Sequence, residues 1–150
     1  MLSLLIKSLA WLRIIPFAVV LLLYYLNIPV LGFSGDQLFL SYSTVICCFM
    51  AGTIYGQAIY KVTCPHRPLK LIISNLVAFG AFLAWLLLDS QGHLAALIIG
   101  YFLLNASELK LREQTEDCAV ATSPYLAMRV WITSSVLLLH ITLLFLISVV

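Results

Sequence analysis

The stretch LFLSYSTVICCFMAGTIYGQAIY, from Leu38 to Tyr60, decides the fold: it holds no Lys, Arg, Asp or Glu and is long enough to cross a bilayer as a helix. Within it Cys48, Gly52, Gly56 and Tyr60 recur every four residues, which puts them on one helical stripe. The three small residues would let a neighbouring backbone come close, so Cys48, Gly52 and Gly56 are expected to form a helix-packing face. Packing inside the chain is favoured over pairing with a second copy. The stretch is expected to be the hub of a helical bundle.

Composition supports this outward from the stretch. The chain of 150 residues is 63% hydrophobic and only 9% charged, with a mean hydropathy of +1.11. Soluble domains carry about 25% charged residues, so these values describe an integral membrane protein. The net charge of +2 is spread along the chain, and no basic tract points to nucleic acid.

Apolar runs and polar breaks divide the chain into an all-α bundle of five transmembrane helices, as a single domain with spans at about 14–31, 38–60, 71–88, 94–107 and 130–150. Lys7 and Arg13 stand in an amphiphilic lead before span one, and Pro16 falls in its first turn, where a missing N–H costs nothing. A secretory signal has a similar layout, but this apolar run is longer than a usual signal core and contains Asn27 and Pro29. Cys64-Pro-His-Arg-Pro68 breaks the chain after span two, and Asp89-Ser-Gln-Gly-His93 after span three. Span four is the shortest and has to recruit Asn105-Ala-Ser107 to cross. Ser107 to Ser123, with six charged residues, is expected to be a solvated loop, and Pro124 closes it.

Placing the N-terminus inside puts all eight Lys and Arg residues on the inner side, while the outer turns hold Asp36 and Asp89. This sidedness is the positive-inside bias, and with five spans it puts the C-terminus outside. Were span four only to dip into the membrane, Lys110, Arg112 and Arg129 would move outside and the bias would collapse.

Several residues in this order resemble a known family. Ile15-Pro-Phe17 opens span one, Phe49-x-Ala-Gly-x-x-Tyr-Gly56 lies in span two, Ala84-Trp85 in span three, and Tyr125-x-x-Met-Arg-x-x-Ile-Thr133 enters the last span. Together they resemble the membrane family filed as domain of unknown function 3429, whose animal member is transmembrane protein 69. Tyr55 stands where that family usually has tryptophan. The resemblance implies a multi-span protein of the bacterial inner membrane, or of the mitochondrial inner membrane in a eukaryote, and brings no reaction, ligand or catalytic residue with it.

Chemistry must therefore be read from single side chains. Cys47 and Cys48 fall mid-membrane and Cys64 and Cys118 on the inner side, so no disulfide is expected. The paired ligand spacing of structural zinc is missing, and neither a metal nor a resident cofactor is expected. His140 lies near the middle of the last span, where an ionisable group is costly without a partner. It is expected to face the bundle and to bond Thr133, Ser134 or Thr142 of its own helix, or Thr44, Thr53, Gln57 or Asn75 of a neighbour. As a cofactor-binding residue it would serve as a haem ligand or quinone contact, although no second histidine lies at its depth. Tyr125, Arg129 and Thr133, four residues apart, form a polar seam in which Arg129 binds lipid phosphate, Glu108 or a carbonyl at the end of span four. Asp89 and His93 read as turn and cap chemistry.

No nucleophile–base pair or pair of carboxylates is visible, so an enzyme is not expected. The first reading is a non-enzymatic structural or accessory subunit of a larger membrane complex or its assembly, with the bilayer and a membrane-protein partner or second copy as its company. A small transporter or channel is the second, opposed by the lack of any Asp or Glu inside a span. A redox-associated subunit binding haem or quinone near His140 is the third.

Overall fold

The computed structural model describes residues 12–60, 67–113 and 124–149, with side-chain surroundings for 12–60, 67–108 and 129–148. It is all-helical apart from turns, with five helices: α1 (Ile14–Tyr25), α2 (Gly35–Tyr60), α3 (Arg67–Leu87), α4 (Ser90–Glu113) and α5 (Pro124–Val149). Among the described residues the only β-type pairing is the isolated Val30–Phe33 bridge in the α1–α2 turn. α2, α3 and the Arg129–Ser148 part of α5 are long and apolar enough to cross a membrane. α1 is apolar but has 12 residues, and α4 is polar at both ends.

Local chemistry moves several boundaries away from the expected ones. Where a span over 14–31 is expected, the helix stops at Tyr25. Asn27 takes a left-handed conformation (φ 53), and its N–H bonds the Tyr24 carbonyl while that of Ile28 bonds Leu23. This double closure ends a helix, with Asn in the place more often held by Gly, and Pro29 disfavours helix at Ile28. α2 starts at Gly35 instead of Leu38 because Ser34 caps it. Gln37 Oε1 accepts from the Ser34 N–H at 3.3 Å, half of a capping box whose Ser-x-x-Gln pattern stands in the sequence. Asp89 caps α4 by accepting from the Gly92 N–H at 3.1 Å, so its role as cap chemistry is met.

At its far end α4 continues to Glu113, so residues 107–113, expected in a solvated loop, are helical. Apolar residues at Leu97, Tyr101 and Leu104 keep one face of α4 on the core and carry the helix onward past Asn105.

Successive helices alternate in direction. Contacts between Phe17 and Phe39, Cys48 and Ala78, Thr44 and His93, and Thr53 and Arg129 fix their relative depths. α2 packs on α1, α3 and α4, and its side chains reach α5, so it is the hub. It does this with a face other than the expected one. Cys47, Ala51, Ile54 and Ala58 are buried, whereas Gly52 is exposed and Gly56 half-buried. Among the described residues a Cβ on either glycine would meet nothing within 4 Å, so the expected Gly52 and Gly56 packing against the described helices is corrected. Cys48 alone of that trio touches a neighbour, Sγ lying 3.8 Å from the Ala78 carbonyl. Close approach happens elsewhere: a Cβ on Gly100 would lie 3.4 Å from Cys47 Sγ, and one on Gly35 would lie 2.5 Å from Tyr24 Cα.

Candidate functional site

Inside this apolar bundle two buried polar clusters are organised by α2. The first surrounds His140, which is fully buried. Its Nδ1 lies 2.7 Å from the Val136 carbonyl, an acceptor, so Nδ1 carries the proton and Nε2 is the acceptor. Ser43 Oγ, 2.5 Å away, donates to Nε2, and the Tyr101 hydroxyl donates to the Ser43 carbonyl at 2.9 Å. The rings of Phe39 and Tyr101 stand edge-on to the imidazole at 4.9 and 5.1 Å. Both ring nitrogens are thus occupied and the faces are covered. This is a neutral, fully bonded imidazole, and an axial haem ligand would have to displace Ser43 from Nε2. The expected partners are corrected: Thr44 instead meets His93 Nε2 at 2.9 Å, Thr133 and Thr142 bond carbonyls of their own helix, and Asn75 bonds Leu71. Periodicity places His140 on the inward face, but it does not say which hydroxyl on α2 lies opposite.

The second cluster is an ion pair. Arg129 Nη2 contacts Glu108 Oε1 and donates to Thr53 Oγ1 at 2.8 Å, and Thr53 in turn donates to the Met50 carbonyl at 2.7 Å. Arg129 and Glu108 are 8% and 2% exposed, so the pair is desolvated and each charge depends on the other. Of the partners expected for Arg129, Glu108 is found. The same contact overturns the expectation that no acid lies within the bundle, because α4 extends past Glu108 and turns it inward. Glu108 Oε2 has no hydrogen-bond partner. Thr133 continues the Arg129 face inward and bonds the Arg129 carbonyl at 2.9 Å. The side chain of Tyr125, third member of the expected seam, lies outside the described residues, as do Cys64, His66 and Cys118.

A third polar group sits apart from both. The Arg13 guanidinium carbon lies 4.4 Å from the centre of the Phe49 ring, near the middle of α2, and the Arg13 carbonyl accepts from the Tyr42 hydroxyl at 3.2 Å. Arg13 is therefore well inside the bundle's length and not at its end, where the sequence places it. A cation at mid-span costs on the order of 3 kcal/mol on insertion scales, and a ring face offsets about 2 when desolvated.

Beside Tyr55 an open groove of about 700 Å³ runs between α2 and α3, walled by Ile72, Leu76 and Phe79. Its apolar walls suit a lipid chain, and no reacting pair lines it. Among the described residues no group of three His, Cys, Asp or Glu could hold a metal ion.

An apolar multi-helix bundle that pairs Arg129 with Glu108 across two helices, and which contains three helices of membrane-crossing length, defines a membrane protein. Residues 4–145 match the family described as Protein of unknown function (DUF3429), and the chain belongs to that family. No curated protein and no solved structure matches it.

Proposed function

We propose that the chain is a five-span protein of a bacterial or mitochondrial inner membrane, with its N-terminus inside and C-terminus outside, acting as a non-enzymatic accessory subunit of a larger membrane complex. The sidedness of Lys and Arg supports the topology: in this orientation the Tyr60 end of α2 is the inner end and the Gly35 end the outer one. The observation that carries the subunit reading is the outward face of α2. Gly52 and Gly56 form a small-x-x-x-small notch with no described residue within 4 Å of either Cβ position, flanked by exposed Val45 and Phe49. Lipid gains little from such a notch, whereas a partner helix gains close backbone contact.

The test is extraction in mild detergent or directly into nanodiscs. A tagged chain is expected to leave the membrane with a stoichiometric partner, and Gly52→Leu or Gly56→Leu to release that partner while the melting temperature of the chain is unchanged. A parent chain that runs as a partner-free monomer under native extraction would sink the reading.

The transport reading gains one observation, the unpartnered Oε2 of a buried Glu108. Proton uptake by vesicles holding the purified chain, lost in Glu108→Gln, would favour it over the subunit.

A further inference from the structure

We propose that Arg13 is the docking point for an acidic side chain on a transmembrane helix of another membrane protein, seated along the outward face of α2. This rests on the subunit reading above and adds the partner's chemistry. Arg13 is held at depth by two contacts of different kinds: its main-chain carbonyl is bonded by Tyr42, and its guanidinium lies over Phe49. Phe49 is about 21 Å from the outer end of α2 and about 16 Å from its inner end at about 1.5 Å per residue. It therefore lies close to the midplane, and the lipid phosphates begin about 15 Å away on either side. No arginine side chain closes that gap.

Among the described residues the chain does not supply the counter-charge. Its six acids are Asp36, Asp89, Glu108, Glu113, Glu116 and Asp117. Asp36 and Asp89 cluster at the outer end, Asp36 accepting from the Ser90 hydroxyl, and Glu108 is buried against Arg129. The other three come at or after the last residue of α4. A second copy of the chain brings the same set, and among the described residues it too offers no acid free at this depth. A different protein is required.

The surface beside Arg13 is shaped for a helix. Phe49, Gly52 and Gly56 follow at i, i+3 and i+7 on one stripe, and the Phe49 ring under the guanidinium is half exposed. An approaching helix can press its backbone into the notch at Gly52 and Gly56 and bring a mid-span Asp or Glu to Arg13 from the open side. Charge and shape thus select a helix with small residues on one face and one acid near its middle. In low dielectric such a pair also fixes the partner's register along the membrane normal.

The test uses the full-length chain, fluorescently labelled, in neutral-lipid vesicles with synthetic Leu-Ala transmembrane peptides bearing Gly at every fourth position and Glu, Gln or Leu at mid-span. The Glu peptide is expected to associate at least tenfold more tightly than the Leu peptide. Arg13→Gln should erase the difference and Arg13→Lys should keep most of it, with melting temperatures confirming that both variants fold. Equal association of the three peptides overturns the proposal, as does a preference that survives Arg13→Gln. An Arg13-dependent preference for phosphatidylglycerol vesicles, with the peptides equal, overturns it in favour of lipid phosphate. A native complex that persists in Arg13→Gln sinks this inference and leaves the subunit reading standing, whereas absence of any native complex sinks that reading.

Discussion

Arg129→Ala is the perturbation whose cost follows most directly from the structure. It leaves the Glu108 carboxylate at 2% exposure, with Oε2 already unbonded and Oε1 losing its charged neighbour. Breaking a buried pair by removing one partner costs about 3–5 kcal/mol, and an imperfectly satisfied pair belongs near the lower figure. About 3 kcal/mol lowers the folded-to-unfolded ratio by more than a hundredfold, and the melting temperature by on the order of 10 °C for a chain of this size. Three companion variants separate the causes. Arg129→Lys keeps the charge but cannot hold Glu108 and Thr53 with one planar fork, so it should recover part of the loss. Thr53→Val removes one hydrogen bond to a charged group and should cost about 1.5–3 kcal/mol. Glu108→Leu with Arg129→Leu removes both charges and should melt near the parent, since apolar replacement of a buried pair is often neutral. The assay is thermal denaturation of detergent-purified protein, alongside folded yield in the membrane. If the double variant is as unstable as Arg129→Ala, the uncompensated carboxylate is not the cause and the reasoning fails. If Arg129→Ala melts like the parent but abolishes a cellular phenotype, the seam is functional instead of architectural.

His140→Gln should be milder than His140→Leu in the same melt, because only Gln can still accept from Ser43. The leucine variant leaves that hydroxyl only the longer contact to the Tyr101 hydroxyl at 3.3 Å, a loss of about 1 kcal/mol, and equal melts would show the bond to His140 to be idle. Gly35→Ala should cost about 1–3 kcal/mol, since its Cβ would meet Tyr24 main chain and neither helix can yield locally; an unchanged melt would mean the α1–α2 turn relaxes freely. Reporters fused after Val150 should be active only outside, and those inserted at 61–66 only inside. A C-terminal reporter active only inside, on the same side as 61–66, would remove the five-span topology.

Much of the architecture was legible in the sequence, because helix length and polar breaks are properties of consecutive residues. The four-residue spacing of Arg129 and Thr133 and the presence of Glu108 nearby likewise led to the ion pair that is found. Rotational setting was not legible. Almost every side of α2 is apolar, so burial cannot be inferred from contrast between faces, and the glycine spacing drew attention to the side that faces outward. The polar ends of α4 misled in the opposite sense, since Glu108 reads as solvated until Arg129 is seen to come from another helix. Two shorter signals also stand in the sequence: Ser34-x-x-Gln37 as a capping box, and Asn27 before Ile28-Pro29 as a helix stop. The bond from Ser43 to His140 joins positions 97 apart in sequence and depends on the settled depth of two helices.

The close backing of Gly35 on Tyr24 has a thermodynamic meaning for whatever meets the opposite side of α2. That contact clamps α2 at one end, and the hydrogen bond from Arg129 to Thr53 ties it down nearer the other. The Gly52 and Gly56 notch, which flanks the tie at Thr53, is carried on a rod whose position is already fixed before any encounter. A visiting helix therefore spends none of its binding free energy on ordering its host, and the affinity of the encounter depends on surface fit and charge alone.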